Sequence, residues 1–215
     1  MENKTEYISV SMLVSDKLYK DATIISRIAS FKKNIVMKNL SILAALILFC
    51  VSCEKDHFNI NNPNIEQFVQ QIKNGTYNQY ELGENGEKLW TIMPDFKKEH
   101  IPLLLDFATD TSLVCPCNHF PTNPVSSIPP YRIYDNKECI MLGEYLLWCA
   151  EGIIENKDFA SLTPILINHN YSAEKRLSGK DILEVRKMYQ DWWVEYGPSE
   201  YTNELPLEGT NYSWR

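Results

Sequence analysis

An apolar run far from the start of the chain decides which residues are available to fold. Residues 40–51, within the stretch "MKNLSILAALILFCVSCEKD", contain no charge. The run is too short to span a bilayer, which needs roughly 20 apolar residues. Its length suits the apolar core of a secretory signal, about 7–15 residues, and Lys38 supplies the positive charge that precedes such a core. We therefore predict that residues 37–52 form a signal peptide and are not part of the folded domain.

The end of this run has the pattern of a lipidation site. The small residue Ser52 directly precedes Cys53. This pair resembles the lipobox of bacterial lipoproteins, in which the signal is cut before a cysteine that then carries lipid. Cys50 stands where that motif usually has leucine. We predict Cys53 as the lipidated residue; the alternative is a buried helix that happens to end in cysteine.

The signal divides the rest of the chain into three parts. Residues 1–36 precede the Met37 that opens the signal, and we expect them to be an upstream extension foreign to the native protein. Residues 53–64 are polar and rich in asparagine, as in a tether. Residues 65–215 have the length of a single domain.

The charge after the signal restricts the class of partner. Seven of the 21 basic residues and four of the 28 acidic residues precede Cys53, which leaves a net charge of −10 in the mature chain. A domain this acidic lacks the basic footprint that nucleic-acid binding requires. It is also repelled by anionic lipid surfaces, so we expect the lipid itself to hold the protein at the membrane.

Hydrophobic periodicity predicts an all-α domain. The first helix places Ile65, Phe68, Val69 and Ile72 on one face, starts near Pro63 and ends at Asn74-Gly75. The predicted helix 137–154 has the strongest pattern and is apolar almost all round, so we expect it at the centre of the domain. We predict a small domain of antiparallel helix pairs, with a HEAT-like array as the alternative. The further predicted helices are 97–108 with Pro102 in its first turn, 137–154, 158–168 and 178–196, the last with Ser178 and Asp181 at its start.

Three non-helical segments are predicted between and after these helices. Residues 76–94 are rich in turn formers, and "ENG" at 84–86 is able to close a hairpin of short strands. Residues 110–134 contain five prolines and are expected to form a long irregular loop, of the kind that is usually functional or disordered. The aromatic tail 206–215 is expected to be irregular and to pack back on the domain.

Several phrases of the sequence together resemble one protein family. They are "NIEQFVQQIKNGTYN", "IPLLLDFATDTS", "FPTNPVSSIPPYR", "LGEYLLWCAEGI", "LSGKDILEVRKMYQDWW" and "PLEGTNYSWR". The resemblance is to small Bacteroidota lipoproteins that are known only as a domain of unknown function, and it covers residues 60–215. It implies a cell-envelope location and a helical fold. It implies no established activity, so no catalytic residue is carried over.

The stretch "CPCNH" is the most reactive in composition. Cys115, Cys117 and His119 are able to act as zinc ligands, but their spacing is not that of a recognised zinc site. Two alternatives involve Cys139 and Cys149. They either complete a zinc site or form disulfides with Cys115 and Cys117. Free thiols are the favoured reading, Cys149 being a plain buried thiol. We assign no metal and no cofactor.

For each of the other candidate site residues, a structural role is the alternative to a binding or catalytic one. Asn123, Ser126 and Ser127 are candidates for a small binding rim, although turn formation explains the same residues. Glu144 and Glu151 share one helix face, where paired carboxylates do acid–base work or simply face solvent. The two tryptophans of "DWW" at 191–193 are aromatic platforms or core residues. The sequence contains no nucleophile elbow and no glycine-rich phosphate loop, so we assign no catalytic residue.

These observations predict a lipid-anchored protein of the cell envelope, at the outer membrane, and they favour a protein that is not an enzyme. The cluster Glu54-Lys55-Asp56 resembles surface-export signals, so the domain faces either the periplasm or the outside. The expected role is a non-catalytic binding module for an unknown envelope protein or glycan. One alternative is an enzyme or a metal or thiol site centred on Cys115, Cys117 and His119. The other is a structural accessory subunit of an outer-membrane complex.

Overall fold

Helices and short strands alternate along the folded part of the chain. The computed structural model describes residues 58–115, 117, 119–172, 175–197 and 204–215. The described residues belong to one compact unit. They contain four α-helices and seven strands, so the fold is mixed α and β. The helices are α1 (Ile65–Asn74), α2 (Ile101–Phe107, after a 3-10 turn at Lys98–His100), α3 (Leu142–Ile154) and α4 (Gly179–Tyr196).

The strands form three small antiparallel sheets within the described residues. One is the hairpin β1–β2, one has the order β3-β5-β4, and one pairs β6 with β7. The strands are β1 (Tyr80–Leu82), β2 (Lys88–Thr91), β3 (Leu113–Val114), β4 (Arg132–Tyr134), β5 (Lys137–Met141), β6 (Leu166–Asn168) and β7 (Tyr212–Trp214).

The prediction of an all-α domain is therefore wrong, and the apolar stretch 137–154 shows why. Its first five residues form β5, and α3 begins only at Leu142. The last three side chains of β5 are all buried, so the strand lacks the alternation of polar and apolar residues that marks a half-buried strand. A short, fully buried strand that runs into a buried helix looks like one longer helix in the sequence.

The predicted helix 158–168 is also wrong, because its last three residues form β6. This strand pairs with β7 from the C-terminal tail, and Leu166 lies opposite Trp214 in the register. The tail packs back on the domain as predicted, with Tyr212 buried, but it does so as a strand. Because of these strand pairings, the domain is neither a set of antiparallel helix pairs nor a HEAT-like array.

The helices with strong local signals are confirmed. The Asn64 side chain accepts a hydrogen bond from the Gln67 N–H at 2.9 Å and caps α1, which therefore starts near Pro63 as predicted. Gly75 ends this helix with a φ of 63°, a left-handed conformation that glycine adopts without strain. At α4, Ser178 and Asp181 form the predicted reciprocal cap.

The predicted β1–β2 hairpin is confirmed as well, with Gly86 at a φ of 80° in its turn. The loop 110–134 is irregular over most of its length, although β3 and β4 lie at its two ends. Helix α3 is buried on nearly every side, as its apolar sequence predicts. It packs against α2 and α4, and the core is assembled around it.

Candidate functional site

The predicted lipidation residue, Cys53, and the signal run 37–52 lie outside the described residues. The lipid anchor therefore stays a prediction. Within the part of the chain that the structure describes, no helix combines the length and the apolar character needed to cross a membrane.

The predicted binding rim at Asn123, Ser126 and Ser127 lies in a turn. The Asn123 carbonyl accepts a hydrogen bond from the Ser126 N–H at 3.1 Å, and its side-chain amide donates to the Ser161 carbonyl at 3.3 Å. The Ser126 hydroxyl bonds both backbone groups of Ile128, at 3.1 and 3.2 Å. Ser127 is exposed. Turn structure accounts for these polar atoms, and a binding role for them stays a prediction.

The four described cysteines form one disulfide and two free thiols, so the favoured interpretation of free thiols is wrong for Cys115 and Cys139. Cys115 is bonded to Cys139, with Cα atoms 4.5 Å apart, and this joins the segment after β3 to β5. Cys117 and Cys149 are free and buried. The Cys115 sulfur is not a metal ligand while it is in the disulfide. Among the described residues, no group of three or more histidine, cysteine or acidic side chains is placed to hold a metal ion.

Neither free thiol is placed to act as a nucleophile. Burial raises the pKa of Cys117 to about 12, and the nearby Glu138 carboxylate contributes to the shift. Its sulfur donates to the carbonyls of Val114 and Glu138, at 3.4 and 3.5 Å. Burial likewise raises the pKa of Cys149. Because the thiolate is the reactive species, both side chains are chemically quiet at neutral pH.

The two carboxylates of α3 are buried, contrary to the interpretation of a solvated face. Glu144 is 1 % exposed. Its Oε1 accepts a hydrogen bond from the Leu166 N–H at 2.9 Å and lies 3.4 Å from Arg132 Nη2. Burial raises the pKa of Glu144, while Arg132 opposes this effect. The carboxylate thus ties α3 to β4 and β6.

Glu151, two turns further along α3, has different partners. Burial raises its pKa to about 7, partly offset by a hydrogen bond from the Tyr189 hydroxyl. Tyr189 in turn accepts a hydrogen bond from Trp214 Nε1 at 2.8 Å. Two helical turns separate the carboxylates by about 11 Å along the axis, and each has its own partners. They do not form an acid–base pair on one substrate.

The structure contains a larger feature that the sequence did not predict, a cleft of about 610 Å³. We call it the α3 cleft. One wall is segment 93–98, between β2 and the 3-10 turn, and the other is the C-terminal end of α3 with the turn that follows it, residues 152–158. Trp192 of α4 also lines it. The volume falls in the range of pockets that hold small molecules or single side chains of a partner.

The walls of the α3 cleft are apolar and held in place. Phe96 packs edge-on against Phe68 of α1, with ring centres 5.1 Å apart. Trp192 donates from its indole nitrogen to the Glu204 carbonyl at 2.8 Å, which fixes the ring. Met93 and Ile153 are half-buried, so part of each side chain remains open to the cleft. The cleft therefore offers pre-formed apolar side chains within a lining whose exposed surface is more polar than apolar.

The rim of the cleft is charged. Three lysines and two aspartates line it, a surplus of one positive charge on a strongly acidic domain. Lys97 pairs with Asp95, and Lys157 pairs with Glu155 at 2.8 Å. Both lysines are more than half exposed, so these pairs are weak and open to exchange for a ligand group. Apolar walls with a polar rim suit binding of an amphipathic group.

Sequence reasoning missed this site for a physical reason. Segment 93–98 has no periodicity, and its apolar residues Met93 and Phe96 stand among charged ones in a loop. Such isolated apolar loop residues are the available signal, but the opposite wall comes from residues more than fifty positions away. Trp192, expected as a core residue or a platform, is 7 % exposed and belongs to the core with one edge on the cleft.

Comparison with known proteins gives one match. The model of a family described as a domain of unknown function, DUF4943, matches residues 59–215. No curated protein and no solved structure matches the chain.

Proposed function

Because the chain belongs to the DUF4943 family, whose function is unknown, we propose a role from its own sequence and geometry. The protein is a lipid-anchored component of the cell envelope that binds a partner in the α3 cleft and catalyses no reaction.

Support for the anchor comes from the sequence. The apolar run 40–51, the small Ser52 and the following Cys53 have the order of a lipoprotein signal. One acyl chain binds a membrane weakly and two or more bind it stably, so a multiply acylated cysteine suffices to hold the acidic domain. The location is the outer membrane of a Bacteroidota-type envelope, on its periplasmic or its outer face.

The Cys115–Cys139 disulfide is consistent with this location. Disulfides persist in oxidising compartments such as the periplasm and the cell surface, and they are rare in the reducing cytosol. The bond also links the residue after β3 to β5 and so holds two parts of one sheet together, which is a structural role.

The α3 cleft carries the proposal of binding without catalysis. It is pre-formed, apolar on its walls and charged on its rim. The thiol that lines it, Cys149, is a poor nucleophile because burial raises its pKa. An apolar surface without an activated group stabilises a bound partner but has no means of attacking it.

The walls favour a protein partner over a glycan. Aliphatic side chains such as those of Met93 and Ile153 contact an apolar side chain well, whereas the indole of Trp192 is too buried to present its face to a sugar ring. The lysine rim adds a preference for an acidic residue beside that apolar side chain. The expected occupant is an exposed segment of another envelope protein.

Site-specific crosslinking in native membranes tests the proposal. The photoreactive residue p-benzoyl-phenylalanine is placed at Asp158, an exposed residue of the cleft. We expect illumination to give one discrete protein adduct, identified by mass spectrometry. Adding Met93→Asp, which puts a charge on the apolar wall, is expected to reduce the adduct about tenfold, because burying an unpaired charge is costly.

The matched control carries the same probe at Lys187, an exposed position on α4 outside the cleft. It is expected to give no such adduct. If the probe at Asp158 gives no adduct, or if both positions give the same one regardless of Met93→Asp, the cleft is not the binding site.

A further inference from the structure

Strand β4 presents two buried polar atoms that have no partner. Arg132 and Tyr134 are two residues apart, so their side chains lie on the same face of the strand. Arg132 Nε and the Tyr134 hydroxyl oxygen are both inaccessible to solvent, and neither has a hydrogen-bond partner among the described residues. Buried polar groups in native proteins are nearly always paired, so this face is built to receive a hydrogen-bonding group.

The remaining nitrogens of Arg132 are engaged, which fixes the side chain. Nη2 donates to the Leu166 carbonyl and lies 3.4 Å from the Glu144 carboxylate, and Nη1 lies 3.5 Å from the Lys175 carbonyl. The side chain is only 10 % exposed. Because the guanidinium is held on two sides by these contacts, its Nε–H direction is set before any ligand arrives.

The charge around this face favours an anion. The Arg176 guanidinium lies over the Tyr134 ring, 4.8 Å from its centre. Lys137 stands directly opposite Tyr134 in the β4–β5 register and so shares its face. Glu138 pairs with Ile133 and points to the other face. Glu144 is the acid bonded to Arg132, so among the described residues of this face one negative charge stands against three positive ones.

We propose that this face of β4 binds an oxyanion, the carboxylate or phosphate group of a small ligand. The exposed Arg176 side chain, which lies over the Tyr134 ring, moves aside to admit the anion. One oxygen then accepts from Arg132 Nε–H and another from the Tyr134 hydroxyl, and the Arg176 guanidinium closes over the bound group. A water molecule accepts hydrogen bonds from the two donors but does not balance the surplus of positive charge. An oxyanion accepts from both donors and also balances that charge. This site is separate from the α3 cleft, whose lining includes none of these residues.

Calorimetric titration of the full 215-residue chain tests this site, using sodium phosphate and sodium acetate in separate arms against sodium chloride. We expect saturable binding at one site by phosphate, acetate or both, and the tighter anion identifies the ligand class. Tyr134→Phe removes one donor and is expected to weaken binding about tenfold. Arg176→Gln is expected to weaken it to a similar degree, and Lys187→Gln, which removes a surface charge on α4, to leave it unchanged.

Nuclear magnetic resonance on the same chain reports on the site directly. The Arg132 Nε–H signal is expected to shift saturably as the binding anion is added. The Lys187→Gln variant is expected to show the same shift. If neither anion gives saturable binding, or the Arg132 signal stays in place, the two atoms bond only to water and the proposal fails. Equal affinities in Tyr134→Phe and Lys187→Gln overturn it as well.

Discussion

At the scale of single residues, environment and not residue type decides what a side chain does. The chain has several cysteines, yet the predicted lipid carrier, the disulfide pair and the buried thiols have distinct chemistries. Likewise Glu144 and Glu151 face the core from one helix, but the first bonds an arginine and a backbone N–H while the second bonds a tyrosine. Two residue-level predictions follow from such differences.

Replacement of Cys53 tests the anchor. Cys53→Ser removes the only atom on which the predicted lipid is carried, so we expect the protein to leave the membrane fraction and to lack lipid by mass spectrometry. Cys50→Ser, three residues upstream, is the matched control and is expected to remain membrane-bound. If Cys53→Ser still fractionates with membranes, residues 39–52 hold the protein there and the signal interpretation is wrong.

The Glu151 carboxyl predicts a pH dependence of stability. In the unfolded chain it loses its proton near pH 4.5, whereas in the fold burial raises its pKa to about 7. The folded state therefore binds the extra proton between these values, and stability decreases as the pH rises through this window. The loss is about 3 kcal/mol. Denaturation of Glu151→Gln from pH 4 to 8 is expected to lack this component.

Glu66→Gln is the control for that series, because Glu66 is an exposed carboxylate on α1 and is not among the charges that act on Glu151. It is expected to retain the wild-type pH profile. A Glu151→Gln profile parallel to that of the wild type would show that Glu151 does not titrate in this range.

At the scale of elements, the short strands depend on partners that are distant in the chain. Strand β3 has two residues and pairs with β5 beside the Cys115–Cys139 bond. Strand β6 has three and pairs with β7, which lies more than forty residues later. Strands this short have little stability alone. Their stability comes from the sheet, the core beneath it and, for β3, the disulfide.

Reduction of the disulfide is predicted to destabilise the domain. The bond closes a loop with a sequence separation of 24 residues, and loss of such a link costs about 3 kcal/mol through the entropy of the unfolded chain. We expect thermal unfolding of the wild type to shift to lower temperature in the presence of a reductant. Cys115→Ser is expected to be destabilised to the same degree and to show no further shift with reductant. A wild type indifferent to reductant contradicts the bond.

At the scale of the whole molecule, the elements with local signals were predictable and those that depend on distant partners were not. Helix α1 has its cap at Asn64 and its stop at Gly75, and α4 has Ser178 and Asp181 at its start. These signals act within a few residues, so they are readable from the sequence. The hairpin β1–β2 was predictable for the same reason, since its turn is local.

The remaining strands and the α3 cleft were out of reach because their elements meet only in three dimensions. Nothing near Leu166 in the sequence indicates that Trp214 will lie opposite it. Nothing near Phe96 indicates that the end of α3 will face it. Similarly, the spacing of Glu144 and Glu151 showed a shared face but not whether that face meets solvent or core.

The sequence by itself determined the acidic charge of residues 53–215, the signal-like pattern before Cys53 and the helices with local caps, because each depends on composition or on neighbours along the chain. The tertiary structure alone decided the mixed α and β class, the partner of Cys115, the burial of the α3 carboxylates and the existence of both candidate sites. Each of these depends on which distant residues share a volume, and the hydrophobic effect that brings them together is non-directional. The sequence pattern therefore shows which residues are buried, but not which residues they pack against.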